Sequence, residues 1–369
     1  MERRKLPLIR NHKNLLSGLL VPMLSIVFGF LFGAILMLAF GYNPLLAYDA
    51  MISGVFTSPY FMGEALRQAT ALTFTGLGFA LAFKAGFFNI GVSGQALAGW
   101  ISAIWVALIL PDLSKFLLLP LCIIVGMLVG AIWAAIAGVL RAYFGTSEVI
   151  VTIMLNYTML QLTNFIIRDV LTDGGNTSEM VGENASLSLS WLTALTQNSR
   201  LNAGIFIAII VVILYWIFMT RTTAGFEIRA VGLNSHASSY AGMSAKKNII
   251  LSMFLSGALA GLGGAIHGLG TFGNIFTQGG LPEIGFDGIA VALLGLGNPI
   301  GIFFSSILFG VLDIGAGFMP NRAGVPDEMA NIVTAAIIFF IGANYMIRYF
   351  IDKRAAKKQT SSSTQGGKV

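Results

Sequence analysis

Long apolar stretches, separated by short polar or glycine-rich links, run through almost the whole chain. Ten stand out, at 15–40, 67–83, 91–110, 116–140, 149–167, 203–219, 249–270, 286–297, 300–317 and 329–350. A helix crossing the hydrocarbon layer needs about 20 apolar residues, and nine of the ten runs come close to that or exceed it. The pattern predicts an all-α membrane protein with about ten transmembrane helices. The run at 286–297 is the weak one. Twelve helical residues rise about 18 Å, short of a hydrocarbon core about 30 Å thick, and Asn298-Pro299 separates it from the next run. It is a tilted span, a re-entrant half-helix or a broken helix. The first run, Leu15–Phe40, is too long for a signal-peptide core of about 7–15 residues, so it reads as a retained span.

These runs divide the chain into a cytoplasmic N-terminus (1–14), a membrane domain (15–350) and a low-complexity, disordered cytoplasmic tail (351–369). Two polar segments, 41–66 and 168–202, are expected outside; 221–248 is expected inside. Runs two to five and seven to ten have comparable lengths and opposite directions, a weak inverted repeat of the kind transporters use. Glycines recur four apart at Gly29/Gly33, Gly126/Gly130, Gly257/Gly261 and Gly264/Gly268. Such spacing brings helix backbones close in lipid, either within one chain or between two.

Composition removes whole classes of function. Hydrophobic residues make up 56% of the 369, charged residues only 10%, and mean hydropathy is +0.81. A soluble domain carries about 25% charge, so a water-soluble enzyme and a disordered chain are both excluded. The net charge of +6 raises the possibility of nucleic acid, but the cations sort by membrane side instead. With ten crossings and both termini inside, every lysine and arginine is cytoplasmic except Arg67, Lys115, Arg168, Arg200 and Arg322. That asymmetry is what the positive-inside rule expects. No nucleic-acid partner is expected.

Catalytic chemistry is missing as well. No phosphate-binding G-x-x-x-x-G-K-[ST] loop and no H-E-x-x-H occurs. Three histidines and the single Cys122 make no plausible zinc set. No cofactor is expected, and any ATP is used by a partner. Ionisable residues within spans reduce to Asp287, Asp313 and His267, each read as a helix cap, a proton or sodium relay, or a solute contact.

Three constellations remain. The inner segment Gly232–Ser244 has Asn234 as an N-cap and Gly242 as a C-terminal stop around about two turns of small residues. So short a helix needs a surface to lie on, either its own chain or a cytosolic partner. Lys84–Gln95 joins two spans with glycines, Asn89, Ser93 and Gln95 at membrane depth, as a tight turn or a gate. Span five carries Thr152, Asn156, Gln161 and Asn164; Thr152, Asn156 and Asn164 share roughly one stripe, as interhelical glue or a path lining.

The strings Gly86–Gln95 (GFFNIGVSGQ), Glu148–Tyr157 (EVIVTIMLNY), Arg229–Asn234 (RAVGLN) and Gly285–Gly295 (GFDGIAVALLG) resemble the nucleoside-type branch of the binding-protein-dependent ABC importer permeases, which is related to the ribose and simple-sugar permeases. The resemblance covers about 15–350. It implies a permease of the vitamin B12-importer type (type II) in a bacterial cell membrane. It also implies a second permease subunit, a cytosolic ABC ATPase and an extracytoplasmic binding lipoprotein or protein. The matching coupling residues are Gly232, Asn234, Ala241, Gly242 and Ser244. The expected solute is a purine nucleoside, with a simple sugar, or an ion-driven carrier, as rivals. Asn89, Ser93, Gln95, Asn156 and Gln161 are expected to face the solute path. Arg168, Arg200 and Arg322 are expected to meet acidic residues of the binding protein.

Overall fold

Over its described residues, each of the ten apolar runs is mainly helical in the computed structural model, which describes residues 11–326 and 328–342. Arg3, Arg4, Lys5 and Arg10, the end of the tenth run and the 351–369 tail lie outside the described residues. The helices are α1 (Asn11–Ala39), α2 (Pro44–Phe56), α3 (Pro59–Lys84), α4 (Val92–Ile109), α5 (Lys115–Phe144), α6 (Glu148–Phe165), α7 (Ser190–Leu195), α8 (Gly204–Arg221), α9 (Thr223–Leu233), α10 (Ser235–Tyr240), α11 (Ala245–His267), α12 (Glu283–Leu294), α13 (Pro299–Ala316), α14 (Met319–Ala323) and α15 (Glu328–Gly342). Wide π-type turns extend α6 over Ile166–Leu171 and α11 over Gly268–Phe272. The only strand-like pairing among the described residues is one bridge, Thr177 to Phe276. Among the described residues, seven helices are long and apolar enough to cross a membrane.

The chain forms two units. One comprises Met1–Met51 and Ala316–Val369, the other Ile52–Gly315. In the first, Gly29 and Gly33 of α1 receive Ile337 and Val333 of α15, and a Cβ at either glycine would collide with them. Tyr48 of α2 donates a 2.6 Å hydrogen bond to Phe30 O and sets its ring edge-on to the Phe30 ring. The segment 41–66 is therefore mostly helix, α2 and the start of α3, and not an open loop.

The larger unit is built around α11, which packs on α3, α4 and α5. The glycine pairs fit into one another. A Cβ at Gly257 would strike Gly130 O, one at Gly261 would strike Gly126 O, and one at Gly264 would strike Ala96 O. Two of the sequence-level pairs, Gly126/Gly130 and Gly257/Gly261, are thus each other's partners within the chain. Without side chains in between, the helix axes come close enough for dispersion contacts along their length, which is what holds helices together where no water drives association.

The weak run is the helical half of a longer stretch, Asn274–Leu294. α12 starts where Ser93 Oγ donates to Pro282 O (3.1 Å) and Thr75 Oγ1 donates to Ile284 O (2.8 Å). Thr75 lies nine residues before the end of α3, about 14 Å inside the helix. α12 then descends to Gly297, whose Cβ position is 3.0 Å from Lys84 Cε. The other half is extended chain, from Asn274, whose carbonyl accepts from Trp100 Nε1 at 2.9 Å, to Pro282. Unpaired backbone at this depth must find partners in protein. Ser178 N–H donates to Ile275 O, Thr277 N–H to Asn176 O and Val181 N–H to Gly273 O. Asn164 clasps Gln278 with two 2.9 Å bonds.

Candidate functional site

α3 ends at Lys84, and the chain turns back through Gly86 at φ +86°, a conformation a side chain resists. The turn delivers Asn89 into a closed knot of amides. Asn89 Nδ2 donates to Gln95 Oε1 and to Ser256 Oγ, both at 2.9 Å, and Asn89 Oδ1 accepts from Gln95 Nε2 and Gly91 N–H, both at 3.0 Å. Ser256 passes its own proton to Gly78 O at 2.6 Å. From α6, Asn156 Oδ1 accepts from Gly94 N–H (2.8 Å) and its Nδ2 donates to Ile90 O (2.9 Å). The α3–α4 turn, α4, α6 and α11 are bound together at one point.

This arrangement separates the five residues expected on the solute path. Asn89, Ser93, Gln95 and Asn156 are buried, with their hydrogen-bonding groups engaged inside the protein. Gln161 is exposed on another face of α6, away from Asn156. The physical reason is that buried amides, costly when left unpaired, have satisfied one another and so show no face to solute in this conformation. Thr152 and Asn164 likewise bond to backbone, the former within its own helix.

The segment Gly232–Ser244 abuts the knot. A Cβ at Gly232 would strike Lys84 O, and Gly86 lies across from the Gly232 backbone. Thr222 caps α9 by accepting from Gly225 N–H at 3.1 Å. Asn234 caps α10 by accepting from Ala237 N–H at 3.0 Å, as its sequence position suggests, and Gly242 stops it at φ +84°. Ser244 caps α11 through Lys247 N–H at 3.3 Å. α9 carried no clear signal of its own. Its Glu227 accepts from Asn248 Nδ2 at 2.9 Å, tying it to α11. Across this surface Leu233 is 89% and Tyr240 95% exposed, and Ala241 is exposed too. Beneath it a groove of about 430 Å³ is lined by Gly86, Phe87, Arg141, Gly232 and Asn234.

At the opposite ends of these helices a buried ion pair, Arg67 Nε to Glu64 Oε2 at 2.7 Å, fastens the far loop, because Glu64 Oε1 accepts from Arg200 N–H at 2.6 Å. Arg168 is exposed and reaches Asn176 Oδ1 at 3.3 Å. The Arg200 side chain is exposed, as is that of Arg322 in the other unit, which lies over the Phe318 ring at 5.1 Å. A cavity of about 450 Å³ opens here, walled by residues of 180–202 and by Gly270–Phe272. Behind it Trp100 stacks on Phe272 at 5.1 Å, with His267 and Phe276 edge-on to Phe272. Of the span carboxylates, Asp287 is half-buried and Asp313 exposed. The cavity, the Glu64–Arg67 pair and the extended segment 274–282 lay outside the sequence reading, since none leaves a local pattern.

The family model described as the branched-chain amino acid transport system / permease component matches residues 61–342. The chain is 49% identical to the nucleoside ABC transporter permease protein NupB of Lactococcus lactis subsp. cremoris, over 94% of this chain and 97% of that one. It is 46% identical to the guanosine ABC transporter permease protein NupP of Bacillus subtilis, over 93% and 98%. A glucose ABC transporter permease protein, TsgB13 of Haloferax volcanii, is 31% identical over 89% and 88%. No solved structure matches the chain.

Proposed function

This chain belongs to the branched-chain amino acid transport system permease family, and on that premise we propose that it is the membrane subunit of an ATP-driven importer of nucleosides, purine nucleosides above all. The observation that carries the solute class is the pair of relatives at 49% and 46% identity, named for nucleosides and for guanosine, against the glucose permease at 31%.

Its partners are a cytosolic ABC ATPase, a second permease subunit and an extracytoplasmic binding protein. The chain crosses the membrane ten times in the type II arrangement, with both termini in the cytoplasm. Exposed Tyr240, on a helix too short to stand alone, and exposed Leu233 at the end of α9 just before it favour α10 as the ATPase contact, with Gly232, Asn234, Ala241, Gly242 and Ser244 shaping it. Movement there reaches the Lys84–Gly86 turn through the Gly232 contact and then the amide knot. Asn89, Gln95, Ser256 and Asn156 act as the joint of the machine, and Ser93 holds the head of α12 to it. The path runs beside the break before α12. Gly279 and Gly280 are exposed there, and irregular backbone at membrane depth faces water wherever protein does not cover it. Gln161 is the one of the five expected path residues left open to meet solute. Arg168 and Arg322 receive the binding protein.

Uptake of labelled guanosine by vesicles carrying the chain with its ATPase and companion permease tests the solute. The expected result is ATP-dependent accumulation that excess adenosine competes and excess ribose does not. Competition by ribose or glucose alone would hand the chain to the sugar reading that the 31% relative favours.

A further inference from the structure

The cavity at the Arg200 end is built for more than a docking rim. Its floor is Phe272, whose ring is held by the Trp100 stack and by edge contacts from His267 and Phe276. A ring fixed from several sides is a preorganised stacking platform that loses little freedom when a second ring arrives. Arg200 is pinned at its backbone on both sides, since its N–H reaches Glu64 and its carbonyl accepts from Asn202 Nδ2 at 3.1 Å. Its guanidinium has no partner among the described residues. Thr271 and Ser188 line the same cavity, and His267, buried behind Phe272, has an Nδ1 with no hydrogen-bond partner among the described residues. Met180 and Leu201 complete the wall. The volume, about 450 Å³, falls in the range of small-molecule sites, about 300–1,000 Å³.

A flat ring, one planar cationic fork and scattered hydroxyls match one kind of solute. We propose that this cavity is a nucleoside subsite of the permease itself, taken before the path opens: the base lies against Phe272, Arg200 holds the O6/N7 edge of a purine in two hydrogen bonds, and Thr271 and Ser188 meet the ribose hydroxyls. An arginine fork fits guanine, which presents two acceptors on that edge, better than adenine, which presents one acceptor and one donor. The assignment rests on the nucleoside reading above and gives Arg200 a role distinct from binding-protein docking.

Photolabelling the full-length chain in membrane vesicles with 8-azidoguanosine, with no binding protein present, tests it. The expected label falls within 180–202 or 270–272 and is displaced by guanosine but not by ribose. Arg200→Gln is expected to weaken guanosine competition about tenfold or more and adenosine competition less. Thr271→Val, which keeps the shape, is expected to weaken both nucleosides alike. Label elsewhere in the chain, or unchanged guanosine competition in Arg200→Gln, overturns the subsite even if the vesicles transport guanosine. Arg200→Gln losing only capture of the binding protein also overturns it and returns Arg200 to docking. If the intact transporter imports no nucleoside at all, the underlying solute reading has failed instead.

Discussion

Gly264 illustrates how much of this protein depends on atoms that are absent. Its Cβ position coincides with Ala96 O, a backbone atom that cannot swing aside. Overpacking a tight contact costs about 1–3 kcal/mol, sometimes more, so Gly264→Val is expected to lower the melting temperature of the detergent-solubilised chain and the yield of monodisperse protein. Unchanged melting would mean that α4 and α11 are not in contact there. Asn89 makes the complementary case. Asn89→Leu deprives Gln95, Ser256 and the Gly91 N–H of partners, at about 1–3 kcal/mol for each buried group left unpaired. The double variant Asn89→Leu/Gln95→Leu removes both ends of two bonds and is expected to melt higher than the sum of the single losses predicts. A strictly additive cycle would show that the two amides do not act together. Both residues were visible as signals in the sequence, and both were only half legible. The four-residue glycine spacing announces a close helix approach but not which helix approaches. An amide in a span announces a hydrogen bond but not its direction, because a side chain lining water and one bonded into a knot have the same neighbours in sequence. That is why Asn156 reads equally well as glue and as path, until Ile90 and Gly94 are seen to occupy it.

α10 was legible to the residue, since capping is local: Asn234 and Gly242 define its ends whatever surrounds them. α2 was not, because a mostly apolar stretch of thirteen residues interrupted by the exposed Asp49 matches neither a span nor a polar loop. α12 was visible only as a deficit of length, since the extended segment before it is held by backbone bonds to 176–181, about a hundred residues away in sequence. α10, proposed as the ATPase contact, gives two separable predictions. Asn234→Ala removes a cap worth about 1 kcal/mol and is expected to lower solute-stimulated ATP hydrolysis partially, with insertion intact. Gly242→Arg puts a long side chain at φ +84°, where only glycine is at ease, in the middle of the exposed surface. It is expected to abolish uptake and the stimulation of ATP hydrolysis, while membrane levels stay near those of the parent. If Gly242→Arg transports normally, α10 is not where the ATPase pulls.

At the scale of the whole larger unit, charge other than Asp287 and Asp313 lies mostly at the two ends of the helix bundle. Lys84, Arg141 and Arg221 end α3, α5 and α8, and Lys246 opens α11 beside them, its ammonium 4.9 Å from the Tyr143 ring. Glu64, Asp112, Asp169, Asp173, Glu179 and Glu183 belong to the opposite end or the loops attached to it, in company with Arg67, Lys115, Arg168 and Arg200. Basic ends stay on the cytoplasmic side, so the bundle has one expected orientation, and it puts α10 where ATP is available. The sole cysteine, Cys122, is buried, which leaves the parent chain nearly silent to a membrane-impermeant maleimide. Single cysteines at exposed positions then report sidedness one at a time. Asn184→Cys, in the loop beyond α6, is expected to label in intact cells. Ser239→Cys, on α10, is expected to label only after the membrane is opened. Gly279→Cys, at the break before α12, is expected to label more slowly than Asn184→Cys, and more slowly still when guanosine is present, because solute and reagent share one aqueous route. Labelling of Ser239→Cys from outside would invert the orientation and separate α10 from any cytosolic motor. Labelling of Gly279→Cys that guanosine leaves unchanged would keep the orientation but move the solute route away from α12.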